Sequence, residues 1–284
     1  MKKQPYLRSI SIFPIKSCAG IVTTCAVLTP TGLQNDRELI LVDDKTGDII
    51  TQREIPTMCR IATHIDGTIL TVRAPNGMSD FTIDLSRPAR IERPSERLKF
   101  FEREGGAFDQ GTDAALWFSA AIGRQCRLMR RDKDNPRIRH SQLLNKDLPL
   151  GFQDGDQVSM LSLRSLQNLQ SRSTLCIKPG RFRMNFLIDG LGAHEEDEAQ
   201  AISIGDDAPL EHARLCVRCK MPNVDQDTGE TGIEPMKTLG EYRGPKHVVP
   251  TPGEKTKGVT FGVNLASLVN TSVMIRTSDP LRIN

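Results

Sequence analysis

Leu7-Arg8-Ser9-Ile10-Ser11-Ile12-Phe13-Pro14 alternates apolar and polar side chains and then stops at a proline. That is the period of a half-buried strand, whose successive side chains point to opposite faces. Proline ends it by removing a backbone donor. The same pattern recurs downstream, where segments 22–28, 38–42, 49–52, 58–65, 68–74 and 80–85 read as short strands. Turn formers lie between many of them, as in Pro30-Thr31-Gly32, Asp66-Gly67 and Pro75-Asn76-Gly77. Short strands at regular spacing with such turns predict an antiparallel sheet or barrel.

Pro88, Pro94 and several charges mark a connector. A helix is predicted over 113–122, with Thr112 or Asp113 as its N-cap and Gly123 as its C-cap. A strand over 125–129 runs into a mixed-charge loop over 130–140. Leu163, Leu166 and Leu169 predict a second helix over 162–170. Strands resume at 185–189, 201–204, 213–217, 259–263 and 273–275. The fold class is β-rich α+β, with a boundary between 90 and 125.

The 284 residues are 38% hydrophobic and 26% charged, as in ordinary globular proteins, and suffice for one large domain or two modest ones. A net charge of +3 gives no global reason to expect nucleic acid. The segment 127–140 holds five arginines but no interleaved aromatics, which argues against a nucleic-acid partner. It reads as a frame for an anionic cofactor tail, a dock for an acidic electron carrier, or a solvated loop. No run approaches the roughly 18 apolar residues of a membrane span. The start of the chain lacks the apolar core of a signal peptide. Seven scattered cysteines favour free thiols over a disulfide framework. The expectation is a cytoplasmic protein with no membrane partner.

Chemistry concentrates in Arg214-Leu215-Cys216-Val217-Arg218-Cys219-Lys220-Met221-Pro222-Asn223-Val224-Asp225-Gln226-Asp227-Thr228-Gly229. Two thiols stand three residues apart beside arginines, a setting that favours thiolates, and thiolates bind soft metals or attack electrophiles. Spacing alone leaves open half a zinc site, a redox pair or a single soft metal ligand. Zinc would need further ligands, and no second paired motif occurs among the five histidines. A thioredoxin-like pair would open a helix, whereas Pro222-Asn223 and an Asp-rich turn follow here. Asp225 and Asp227 read as Asx-turn residues that shape the loop. The acidic run from His194 to Glu198 reads as a solvated face.

Several separated clusters together resemble the MOSC-domain family, and within it the YcbX-type proteins and the mitochondrial amidoxime-reducing components. They are Ile12-Phe13-Pro14-Ile15-Lys16-Ser17-Cys18, Gly32-Leu33-Gln34-Asn35-Asp36-Arg37, Phe152-Gln153-Asp154-Gly155 and Arg181-Phe182-Arg183-Met184-Asn185. The thiol pair with its Asp-rich turn and Phe261-Gly262-Val263-Asn264 complete the set, in the family's order across nearly the whole chain.

The resemblance implies an antiparallel β-barrel MOSC fold, with an N-terminal strand-rich domain over 1–118 and a MOSC domain over 119–284. It implies a molybdenum cofactor (molybdenum–molybdopterin), with Cys219 as metal ligand and catalytic residue. Matching positions imply cofactor contacts from Lys16, Ser17, Arg37, Asp154, Arg183, Asn185, Cys216, Val217, Arg218 and Asn264. Taken singly, Lys16 reads as a solvated strand end, Arg37 and Arg183 as surface ion pairs, and Asn185 and Asp154 as turn residues.

The activity implied is reduction of N-hydroxylated compounds or S-oxides. Electrons would come from a separate flavin or iron–sulfur protein, because the ferredoxin cysteine cluster of some YcbX-type relatives is missing. MOSC domains also occur in cofactor sulfurases beside a pyridoxal-phosphate domain, which has no counterpart here; a cofactor or sulfur carrier is the alternative. Met184, Ala199 and Val263 depart from the family's Pro, Trp and Gln. Asp156 stands where a hydroxyl is common and would bring negative charge near the cofactor.

Overall fold

The strand that opens the chain becomes an inner strand of a large sheet. Tyr6–Ile12 pairs antiparallel with Phe186–Asp189 on one side and Ile21–Thr23 on the other. The computed structural model describes residues 4–87, 96–100, 103–248 and 257–283, so the expected connector at Pro88 and Pro94 lies outside the described residues. Beyond Phe186–Asp189 the sheet continues through Val158–Ser162, Thr260–Ser267, Ala208–Val217, Ala201–Ile204 and Leu281–Ile283.

Val158–Ser162 and Phe186–Asp189 run parallel, which requires a crossover instead of a hairpin. Helix Leu163–Gln170 lies in that crossover. Ser162 caps it by accepting a hydrogen bond from the Arg164 N–H, and Leu166 and Leu169 turn inward. The barrel-like fold stands, but it is built on a mixed sheet with this one parallel pair, and its ladder does not close. Loop hydrogen bonds and an isolated bridge between Tyr6 and Pro280 nevertheless tie Tyr6–Ile12 to the edge at Leu281–Ile283: Leu7 N to Asp279 O (2.9 Å), Ser278 N to Leu7 O (2.7 Å) and Leu281 N to Pro5 O (2.7 Å).

A five-stranded sheet runs Glu96–Phe100, Arg103–Asp109, Cys126–Arg131, Leu39–Asp43 and Ile49–Ile50. Helix Thr112–Ile122 contributes Ala114 and Phe118 to the core beneath it. Gly123 ends this helix in the left-handed conformation (φ 69°), but Gly111 takes the N-cap position in place of Thr112 or Asp113. The structure is β-rich α+β.

Three local readings change. The segment 58–65 is split into a 3₁₀ turn at Pro56–Arg60 and a strand at Ala62–Asp66. Pro56 at its first position presets a helical φ. The segment 22–28 divides between Ile21–Thr23 and Cys25–Thr29, which belong to different sheets. The mixed-charge loop is in large part ladder: Cys126–Arg131 extends into it, and Arg137–Ser141 pairs with Lys146–Leu150. Here Arg137 is the buried residue and Ile138 the exposed one. The Arg137 guanidinium donates to Gly151 O and Gln153 O, so the polar side chain faces in and hydrophobic alternation cannot reveal the strand.

Two cores meet near the start of the chain. Ile10 belongs to the core of the eight-stranded sheet, whereas Ile15 and Cys18 belong to the core beneath the five-stranded one. The chain passes from one core to the other between Ile10 and Ile15, and Lys16 and Ser17 follow directly, between two members of the second core.

Candidate active site

All eleven residues singled out by the sequence line one cavity of about 250 Å³. The backbone is bent sharply to place them. Ser17, Arg37 and Arg183 have φ of 71°, 50° and 53°, the left-handed region that residues with a Cβ seldom occupy. Three such positions on one cavity wall are the kind of strain that clusters at functional sites.

Phe13 organises two of the arginines. The Arg37 and Arg183 guanidiniums stand 4.2 Å and 4.3 Å from the centre of its ring. Arg37 Nη1 donates to both carboxylate oxygens of the buried Asp36, and its Nη2 donates to Arg183 O at 2.9 Å. Arg183 donates to Cys18 O at 2.6 Å. Burial, and then the neighbouring Arg37 charge, lower the Arg183 pKa to about 10.

Lys16 is buried, and its ammonium donates to Phe152 O (3.0 Å) and Asp154 Oδ1 (2.5 Å). Burial lowers its pKa to about 8, with Asp154 opposing the shift. The Ser17 hydroxyl is buried with no partner among the described residues. Asp154 reaches the cavity mouth; its surroundings oppose ionisation, but Lys16 and then Arg53 hold it down to about 2. It thus sits as the counter-ion of two cations.

Asn185 spans three strands. Its carbonyl accepts from Ser159 N and Oγ (both 3.1 Å) and its amide donates to Ser11 O (3.1 Å). The protein uses the carbonyl and one N–H, leaving the second N–H for anything else. The feared charge of Asp156 is neutralised, since its buried carboxylate lies between Arg139 and Arg214. Gly155 allows that packing: a Cβ there would meet Arg214 Nη2 at 2.9 Å and Asn264 Nδ2 at 3.0 Å.

The two thiols have separate surroundings. Cys216 is buried in an apolar cluster with Phe182 and Phe261, and Cys219 is half-exposed on the cavity wall. Register shifts in the pairing of Ala208–Val217 with Thr260–Ser267 fall between His212 and Arg214 and between Leu215 and Val217, on either side of this region. Such bulges re-aim side chains next to active sites. Arg218 donates to Cys216 Sγ at 3.0 Å, away from Cys219. The guanidinium that interacts with Cys219 is Arg53, which also donates to Asp154 Oδ2 at 3.2 Å. Burial lowers the Arg53 pKa, but Cys219 and Asp154 outweigh it and hold the group raised.

Asp225 accepts from Asp227 N (2.9 Å) and Thr228 N (3.3 Å) and pairs with Arg181, as an Asx-turn residue should. Asp227 pairs with Lys178. The expected solvated face at His194–Glu198 is corrected. Glu196 is fully buried, accepting from Ser162 N (3.2 Å) and Ser165 Oγ (2.8 Å), and Asp197 pairs with Arg243.

Sequence reasoning missed Arg53, Arg181 and Gln153 as neighbours of the site. Arg53 could not be found from its own surroundings, because nothing local points to Cys219 across 166 positions. Arg214 had a signal: it stands two residues before Cys216 on the strand Ala208–Val217.

The donor set fits an anionic, sulfur-rich metal cofactor. Six cations and two carboxylates line the cavity, the Ser17 hydroxyl waits for a partner, and one half-exposed thiol stands among them. Among the described residues no three His, Cys, Asp or Glu side chains cluster to hold a metal, so a metal at Cys219 would take its other ligands from a bound group.

Residues 4–125 match the MOSC N-terminal beta barrel domain, and residues 147–282 match the MOSC domain. Mitochondrial amidoxime-reducing component 1 of Mus musculus is 32% identical over 243 residues, covering 82% of this chain and 69% of that protein. Mitochondrial amidoxime reducing component 2 of Bos taurus is 29% identical over 240 residues, covering 82% and 70%. The molybdenum cofactor sulfurase of Solanum lycopersicum is 32% identical over 263 residues, covering 84% of this chain but 31% of the sulfurase. The chain thus spans about a third of the sulfurases it matches and over two thirds of the amidoxime-reducing components. With both domains matched in order and a relative of this identity spanned over most of its length, the chain belongs to the MOSC-domain family.

Proposed function

We propose that the protein is a molybdenum-cofactor oxidoreductase that reduces N-hydroxylated compounds, with electrons from a separate flavin or iron–sulfur protein. The observation that carries this reading is the half-exposed Cys219 on the wall of a cavity lined mainly by cations. A soft thiolate suits a soft metal centre, and the cations suit its anionic organic part.

The reaction consumes two electrons and two protons, turning an N–OH group into N–H and water. When bound, the molybdenum centre supplies the electron pair and an acceptor for the substrate oxygen. The chain supplies the rest. Cys219 completes the sulfur ligand set. Lys16 and Ser17, just past the passage between the two cores, hold an anionic tail, while Arg183, stacked on Phe13, fixes a polar edge of the pterin. Asn264 lines the same cavity and offers an amide to that edge. Val217, exposed at the cavity, gives an apolar approach for an uncharged substrate.

A cofactor carrier without turnover is the second reading, supported by the similarity to sulfurases. Expression in a host that makes the cofactor, followed by metal and pterin analysis, tests both. Wild type should carry molybdenum and, with a reduced dye as donor, turn over an amidoxime or hydroxylamine; Cys219→Ser should lose at least ~100-fold in turnover, given that the ligand itself is removed. Wild type with molybdenum but no turnover favours the carrier. Zinc in place of molybdenum, or full activity in Cys219→Ser, sinks the reductase assignment.

A further inference from the structure

We propose that Cys216 and Met184 are positioning residues whose sulfur atoms seat the Arg218 guanidinium, so that its uncompensated positive charge is offered to an anionic ligand in the cavity. The proposal rests on the preceding reading only in that the cavity takes an anion.

Cavity cations are otherwise matched with carboxylates. Lys16 has Asp154, Arg37 has Asp36, Arg181 has Asp225 and Arg214 has Asp156. Arg183 and Arg218 have no carboxylate partner among the described residues. Arg183 is stacked on Phe13 and crowded by the Arg37 charge. Arg218 is held differently. Its Nη1 donates to Cys216 Sγ at 3.0 Å and Met184 Sδ at 3.4 Å, and its Nη2 donates to Phe182 O at 2.7 Å. The guanidinium carbon stands 5.5 Å from the centre of the Phe182 ring.

None of these partners is a carboxylate. A carboxylate in their place would fix the guanidinium just as well but would cancel its charge. Thiol and thioether sulfurs are weak acceptors, sufficient to orient a weakly hydrated guanidinium and too weak to compete for it. Arg218 Nε is buried and has no partner among the described residues. An unpaired donor of this kind costs stability unless something else accepts from it. The Met184 methyl group fixes the fit from the other side: a Cβ on Gly262 would meet Met184 Cε at 2.5 Å.

The test measures inorganic phosphate binding by calorimetry on apoprotein made in a host lacking the cofactor. Wild type is compared with Cys216→Ala, Cys216→Ser, Met184→Leu, Arg218→Gln and the Cys216→Ala/Arg218→Gln double variant. Loss of one hydrogen bond to a charged group predicts roughly threefold to tenfold weaker binding for Cys216→Ala. A smaller loss is expected for Met184→Leu and a larger one for Arg218→Gln. Cys216→Ser, which keeps an acceptor, should recover most of the affinity. The double variant should bind no more weakly than Arg218→Gln alone, because the seat then has nothing to hold. Thermal unfolding checks each fold; should Cys216→Ala not fold, Met184→Leu and its double with Arg218→Gln make the same comparison. Additive losses, unchanged affinity in the sulfur variants, or no phosphate uptake by wild type overturns the proposal. Molybdenum loading is measured separately, so coupling without molybdenum keeps the seat and rejects the reductase, and the reverse result rejects the seat alone.

Discussion

Charge is buried in two parts of this protein and satisfied in opposite ways. At the cavity, Lys16, Arg183 and Arg218 line the space with cationic side chains, and beside them Ser17 Oγ and Arg218 Nε lack partners among the described residues. At the start of helix Leu163–Gln170, Glu196 is enclosed: one carboxylate oxygen takes the Ser162 N–H and the other the Ser165 hydroxyl. The second arrangement is complete without a ligand, and the first is not. Burial of charge therefore does not mark function by itself. What separates the two is whether the protein supplies the last hydrogen bond.

Glu196 is where the contrast can be broken most forcefully. Glu196→Ala leaves the Ser162 N–H and the Ser165 hydroxyl buried without an acceptor, at an expected cost of about 3 kcal/mol in urea unfolding. Phosphate affinity should not change. Burial raises the Glu196 pKa to about 7, with Ser165 opposing and Asp197 adding to the shift. A carboxyl whose folded pKa is raised contributes stability that is full below its unfolded value near 4.5 and is lost as pH rises through 7. Wild type should lose up to about 3 kcal/mol more than Glu196→Gln between pH 4.5 and 8. Parallel pH curves for the two proteins would show that the carboxyl does not titrate as the geometry requires.

Gly20 sharpens the comparison from the cavity side. A Cβ at this position would stand 2.4 Å from Phe13 Cε1, inside the ring that lies against the Arg37 and Arg183 guanidiniums. Gly20 has no positive φ, so the effect of Gly20→Ala is steric. Overpacking of this kind costs about 1–3 kcal/mol. Displaced guanidiniums should also weaken phosphate binding, by roughly fivefold if about 1 kcal/mol is lost at the ligand. Unfolding and calorimetry on the same sample test the two parts; lost stability with intact affinity would free Phe13 of any role at the site.

The sequence made the cavity more legible than the sheet that carries it. Lys16, Arg37, Arg183, Cys219 and Asn264 were named from motifs and lie on one wall-lined space. Motifs succeed because backbone bends such as those at Ser17 and Arg183 constrain many neighbouring residues at once. Arg137–Ser141 was hidden by its inverted pattern, with arginine inside. Glu196 was hidden because a run of acids normally faces solvent, and only the tertiary donors of helix Leu163–Gln170 make its burial tolerable. Arg53 was hidden because its partners, Asp154 and Cys219, are distant in sequence.

Lys16 tests the contrast with the smallest effect and the clearest sign. Its ammonium, lowered by burial to about 8, is charged below that pH and neutral above it. Sulfate keeps its charge across this range, so a fall in sulfate affinity between pH 7 and 9 reports the lysine. About threefold is expected, since Arg37, Arg183 and Arg218 remain charged. Lys16→Arg should stay flat, and Lys16→Met should be weak at both pH values. Stability should move the other way. The unfolded chain, with a lysine near 10.5, binds more protons than the folded one between pH 8 and 10.5, so this residue's contribution to stability grows across that window. A site built to receive an anion must hold its cation at some expense to the empty fold, and opposite slopes for affinity and stability are the signature of that strain. Slopes of the same sign would mean that Asp154 outweighs burial and that the protein satisfies the Lys16 charge for itself.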